Sequence, residues 1–148
     1  MKSNLLKSLI ALLGFGGFTS CFIAAEYGCP HADFSVVVNA QDPKGEPVMG
    51  MKVSIVRGQT DTIALGLTDK MGMYYTKQQV DGTTPVTIKI GLDDIDGTAH
   101  NGEFESQHLY HTFQREDFVG GDGDWYKGLA STSYTLTLKE KEQQQEEE

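Results

Sequence analysis

The sequence predicts an all-β protein, an antiparallel two-layer β-sandwich of about seven strands. Three observations carry that expectation. Apolar residues fall in short segments rich in Val, Ile, Thr and Tyr, several of these segments alternate apolar with polar, and Gly, Asp and Pro punctuate the gaps. No window shows the apolar recurrence of an amphipathic helix. A strand with one apolar face must bury it, and a second sheet is the economical cover.

The first expected strand is DFSVVVNA (33–40), and the second is MKVSIVRG (51–58), where Met51, Val53 and Ile55 share one face. TIALGLT (62–68) and MYYTKQ (73–78) follow, separated by Asp69-Lys70-Met71-Gly72. Asp at the start and Gly at the end of a four-residue connection suit a type I turn, so this pair reads as a β-hairpin. Adjacent Tyr74 and Tyr75 must then point to opposite faces. PVTIKIGL (85–92) places Val86, Ile88 and Ile90 on one face, and STSYTLTLKE (131–140) does the same with Tyr134, Leu136 and Leu138. The stretch between them, 104–128, reads as a long glycine-rich loop.

Both ends of the chain read differently. Lys2 and Lys7 flank a basic start, and Leu9–Phe18 is wholly apolar or glycine, about the length of a secretory signal core. It is too short, and too rich in Gly, for a membrane-spanning helix. Residues 1–20 are therefore expected to be an export signal. The ending Phe18-Thr19-Ser20-Cys21 resembles the lipobox of bacterial lipoproteins, with Phe18 in place of the usual leucine; the resemblance implies acylation of Cys21, which becomes the first residue of the mature chain. Several acyl chains on one cysteine would hold a domain stably at a membrane. Residues 21–31 are then a tether, 32–139 the sandwich, and 140–148 a disordered acidic tail with no apolar residue to offset ordering entropy.

Lys2 and Lys7 are the only basic residues before Cys21, so the mature chain keeps 10 basic against 21 acidic residues, a net charge of −11. Such a surface repels phosphate backbones, which argues against nucleic-acid binding. Acylation of Cys21 leaves Cys29 as an unpaired thiol, open to bridging or modification; without acylation a Cys21–Cys29 disulfide is the alternative.

Two pieces of the sequence resemble a known module. Asp42, Gly45, Pro47 and Gly50 fit a D-x-x-G-x-P-x-x-G turn, and Thr68, Asp69, Gly72 and Tyr74 fit a T-D-x-x-G-x-Y element. Together they resemble the carboxypeptidase regulatory-like (transthyretin-like) module, an Ig-like sandwich that is typically a non-catalytic accessory domain. Over most of the chain, the lipobox-like start, EYGCPHADF (26–34) and DDIDGTAHNGEFES (93–106) are similar to the lipoproteins of Bacteroidetes-type bacteria encoded beside radical S-adenosylmethionine proteins. That resemblance implies an exported, lipid-anchored sandwich of the cell envelope. It also raises the idea that the chain is a substrate of the neighbouring radical enzyme, modified at or near Cys29. The chain has no three-cysteine cluster to hold an iron–sulfur centre of its own.

Chemistry-bearing residues are few. Asp93, Asp94 and Asp96, followed by Gly97, could converge on calcium as carboxylates do in tight loops, with Asp122 and Asp124 contributing from a second loop. The same residues are also what exposed turns are made of. His31, His100, His108 and His111 lack the spacing of a zinc site; His108 and His111, three apart, fall on opposite faces of a strand. There is no nucleophile elbow, metalloprotease motif or phosphate-binding loop, so no enzymatic activity is expected. Trp125 and Tyr126 are the candidate binding aromatics, for a glycan or a protein partner. Trp125 could equally close one end of the sandwich.

Overall fold

A computed structural model describes residues 29–81, 85–100 and 102–142. The expected signal and Cys21 lie outside them. Seven strands form: β1 (His31–Gln41), β2 (Lys52–Arg57), β3 (Asp61–Leu67), β4 (Met73–Asp81), β5 (Val86–Asp93), β6 (Gln107–Phe113) and β7 (Tyr126–Thr137). They make a three-stranded sheet of order β4-β1-β7 and a four-stranded sheet of order β3-β2-β5-β6. The protein is thus an all-β domain of two sheets, seven strands in all and mostly antiparallel.

Alternation in the sequence becomes burial in the fold. Phe34, Val36 and Val38 of β1, Val53 and Ile55 of β2, and Ile88, Ile90 and Leu92 of β5 are fully buried between the sheets. Each such side chain contributes about 1.5–3 kcal/mol of burial, an upper value because the unfolded chain is itself partly collapsed. Tyr74 packs on this core while Tyr75 is exposed, as their adjacency requires. Phe113 joins the core through rings 5.2 Å from Phe34 and 6.0 Å from Phe118.

Three expectations are corrected. The pair 62–68 and 73–78 is not a hairpin: β3 pairs with β2, and β4 pairs with β1 in the other sheet. The turn chemistry is nevertheless as expected. Asp69 Oδ1 accepts from the backbone N–H groups of Met71 and Met73, and Gly72 has φ +70°. What separates the strands is anchorage on either side. The Thr68 N–H donates to the Met51 carbonyl and holds the end of β3 to β2, whereas the Ala40 N–H donates to the Gly72 carbonyl and draws β4 to β1. The turn is a corner between sheets.

The second correction concerns direction. β1 and β7 run parallel, with Phe34 opposite Ala130 and Val38 opposite Tyr134. A parallel pair needs a long connection, and here the whole of β2 to β6 supplies it. Third, 104–128 is not simply loop: β6 lies within it and pairs antiparallel with β5, and β7 begins at Tyr126 rather than Ser131. At the far end, the Lys141 N–H donates to the Glu103 carbonyl and its ammonium lies 2.7 Å from the Glu103 carboxylate.

The two motif elements interlock. Thr68, buried, donates its hydroxyl to the Val48 carbonyl and accepts from the Met51 N–H. A Cβ on Gly72 would collide with the Ala40 carbonyl and lie 3.1 Å from the Val48 amide nitrogen. Gly50, at φ +84°, likewise leaves room for the Asp96 carboxylate and the His100 ring. These motif residues build one end of the sandwich.

Candidate binding face

The loop carrying the candidate aromatics is shaped by its first acidic residue. Asp122 Oδ1 accepts from the N–H groups of Asp124 and Tyr126, both at 2.9 Å, and the Asp122 N–H donates to the Tyr126 carbonyl. The Tyr126 N–H bond above all holds the Asp122 carboxyl below the ordinary carboxylate range, a little burial opposing it, with the Asp124 and Trp125 amides and Lys127 adding to it. Closing the loop this way delivers Trp125 and Tyr126 to the start of β7.

There Tyr126 meets the outer face of the three-stranded sheet, and Trp125 is tied to it through its backbone. The His31 N–H donates to the Trp125 carbonyl, and the His31 and Tyr126 rings lie 5.4 Å apart at 45°. Two residues along β1, Asp33 accepts from the Tyr126 hydroxyl at 3.4 Å and pairs with the Lys77 ammonium at 2.9 Å. That hydrogen bond from Lys77, and the charge behind it, raise the lysine's pKa. Trp125 is 47% exposed, so it does not close the end of the sandwich. The result is a surface with a tilted His–Tyr ring pair and a lysine–aspartate pair, adjoined in the chain by the exposed Trp125. Flat aromatic faces beside fixed donors and acceptors can bind a sugar ring or anchor a protein loop.

Sequence reasoning found Trp125 and Tyr126 but missed His31, Asp33 and Lys77 as their neighbours. These residues come together through the registers of β1 with β7 and with β4, long-range pairings that no local pattern encodes. Cys29 is free and exposed two residues before β1.

The acidic loop after β5 is a different matter. Asp93 ends the strand opposite Lys52. Asp94 turns inward: one oxygen accepts from the N–H groups of Asp96 and Gly97 at 3.1 Å, the other from Phe104 at 2.8 Å. Burial pushes its carboxyl up, but these hydrogen bonds, that of Phe104 foremost, together outweigh burial and hold it below the ordinary range. Asp96 pairs with the His100 ring instead. The Asp94 and Asp96 carboxylates therefore serve separate partners, and among the described residues no group of three or more His, Cys, Asp or Glu side chains is placed to hold a metal ion.

The histidines are scattered as well. His108 stands on the outer face of β6 with its ring 5.8 Å from that of Tyr110. His111 points between the sheets, where its Nδ1 shares a 2.6 Å hydrogen bond with the Tyr134 hydroxyl and its ring lies 4.3 Å from Phe113.

No family model matches the chain, and no match to a curated protein was found. Among solved structures it is similar in shape to the 5-hydroxyisourate hydrolase of Klebsiella pneumoniae, with 12% identity, a TM-score of 0.42, and coverage of 70% of this chain and 89% of that one. A second similarity is to an (S)-allantoin synthase, with 8% identity, a TM-score of 0.40, and coverage of 78% of this chain but only 44% of that one.

Proposed function

We propose that this chain is an exported, lipid-anchored, non-catalytic binding module of the bacterial cell envelope, one of the lipoproteins that accompany radical S-adenosylmethionine proteins, and that it binds an envelope glycan at the Trp125–Tyr126–His31 face. The observation that carries the binding role is the His31–Tyr126 ring pair beside the Asp33–Lys77 pair on the outer face of the three-stranded sheet, with the exposed Trp125 next to Tyr126 in the chain. Sugars present apolar ring faces for aromatic contact and hydroxyls for charged donors and acceptors, which is the chemistry this surface offers. The anchoring role rests on the apolar run and Phe18-Thr19-Ser20-Cys21. His31, the first residue of β1, lies ten residue steps from Cys21, so an acylated chain would keep this face within about 35 Å of the bilayer.

Trp125 is the only tryptophan, so its emission reports the face directly. Titration with soluble peptidoglycan fragments and with neutral oligosaccharides should shift or quench that emission, and Trp125→Ala should abolish binding measured by calorimetry. Unchanged emission with every glycan, or full affinity in the variant, overturns the binding role. Fractionation tests the anchor separately: Cys21→Ala should move the protein from membrane to soluble fraction, and an unchanged distribution removes the anchor.

A further inference from the structure

One edge of the four-stranded sheet is β3, paired on one side with β2 and, among the described residues, with no strand on the other; β6 forms the opposite edge. The Thr68 N–H donates to Met51 and the Thr68 carbonyl accepts from Gly50, so Thr68 faces β2. Alternation along an antiparallel strand then turns the N–H and C=O groups of Leu67 and Leu65 toward the free edge. Their side chains both stand on the outer face, 61% exposed for Leu65 and 54% for Leu67. Gly66 lies between them, its empty Cβ position filled by the Tyr74 ring.

An edge of this kind is a template for pairing, and sheet proteins usually block it with Lys, Pro or a bulge. From Thr62 to Thr68 there is no charge and no Pro, and the register shift of the β2–β3 ladder falls at Ile63, before the two leucines. An uncharged strip on a chain of net charge −9 is where two copies can approach with least repulsion.

We propose that β3 is a homodimer interface, pairing antiparallel with β3 of a second copy about a two-fold axis at Gly66. The register follows from two requirements. Both copies must present the same outer face, which excludes odd shifts. The residues with edge-facing backbone groups, Leu65 and Leu67, must oppose each other. Centring on Gly66 satisfies both, sets Leu65 against Leu67 of the other copy twice, and leaves the axis itself free of side chains. The two four-stranded sheets become one continuous sheet with an isologous contact.

Sedimentation equilibrium of the purified full-length chain in mild detergent tests this. The wild type should be dimeric, and Leu65→Lys, at an exposed position where the fold tolerates a charge, should weaken dimerisation by about a hundredfold or more, because each substitution strikes the interface twice. Amide exchange should show protection at Leu65 and Leu67 in the wild type that Leu65→Lys abolishes. Circular dichroism of the variant must remain that of the folded wild type. A monomeric wild type, a dimer as tight in Leu65→Lys, or a dimer with unprotected Leu65 and Leu67 amides each overturns the proposal. The outcome is independent of glycan binding, which is read at Trp125 on the other sheet.

Discussion

Asp42, Asp69 and Asp122 do the same work in three different loops. Each uses Oδ1 to accept from the N–H groups two and four residues on, and each donates or accepts across the loop through its own backbone. Asp94 is a variant of the same device. That Asp and Gly would form turns was readable from composition. Whether a given carboxylate would take backbone amides or calcium was not, because both present positive charge to oxygen and the choice depends on which N–H groups the fold leaves unpaired. Burial now ranks the caps. Asp42 is buried while Asp69 is exposed, so Asp42→Ala should cost about 2–3 kcal/mol and Asp69→Ala about 1 kcal/mol, since water can satisfy the freed amides only at the exposed site. Urea unfolding of the two variants measures the difference, and equal losses would sink the burial argument.

At the scale of elements, β5, with its clean alternation, and β1 and β2, with less regular patterns, were legible, and their inner faces match the buried residues. β6 was not, because its inward positions include Gln107 and His111 beside Leu109 and Phe113, and its sequence lacks the apolar alternation that marks a strand. The corner at 69–72 misled for another reason: a turn sequence states that the chain reverses, not that the strands leaving it pair. Gly72 is the residue on which the corner depends. Gly72→Ala adds a left-handed backbone penalty and a collision with the Ala40 carbonyl, whereas Gly58, at φ +64°, has open space around its Cβ position. Gly58→Ala should therefore cost about 1–2 kcal/mol, and Gly72→Ala about 3 kcal/mol or more. Paired thermal melts check this, and a Gly72→Ala variant no worse than Gly58→Ala would show that the corner relaxes freely.

At the scale of the whole molecule, what the sequence could not show is which strands sit across from which, and His111 records that information most directly. It projects from β6 of one sheet and shares its Nδ1 hydrogen bond with Tyr134 of β7 in the other, so it joins the two layers. Burial lowers its pKa from the ordinary value of 6.5, with the Asp117 carboxylate opposing in part. The Phe113 ring on its own strand and the Tyr134 hydroxyl across the gap supply no charge to favour the imidazolium. Because the folded state binds this proton less readily than the unfolded state, stability is full above pH 6.5 and falls as pH drops from there through the lower folded value. The urea midpoint should accordingly decrease between about pH 7.5 and about pH 5.5, a range in which carboxylates with ordinary or depressed values stay ionised. His111→Gln retains a hydrogen-bonding side chain toward Tyr134 but cannot titrate, so its midpoint should be lower at the upper pH and nearly flat across the range. A wild-type slope that survives in His111→Gln would mean that another group senses pH, and that the contact between the sheets is not where acid first loosens this fold.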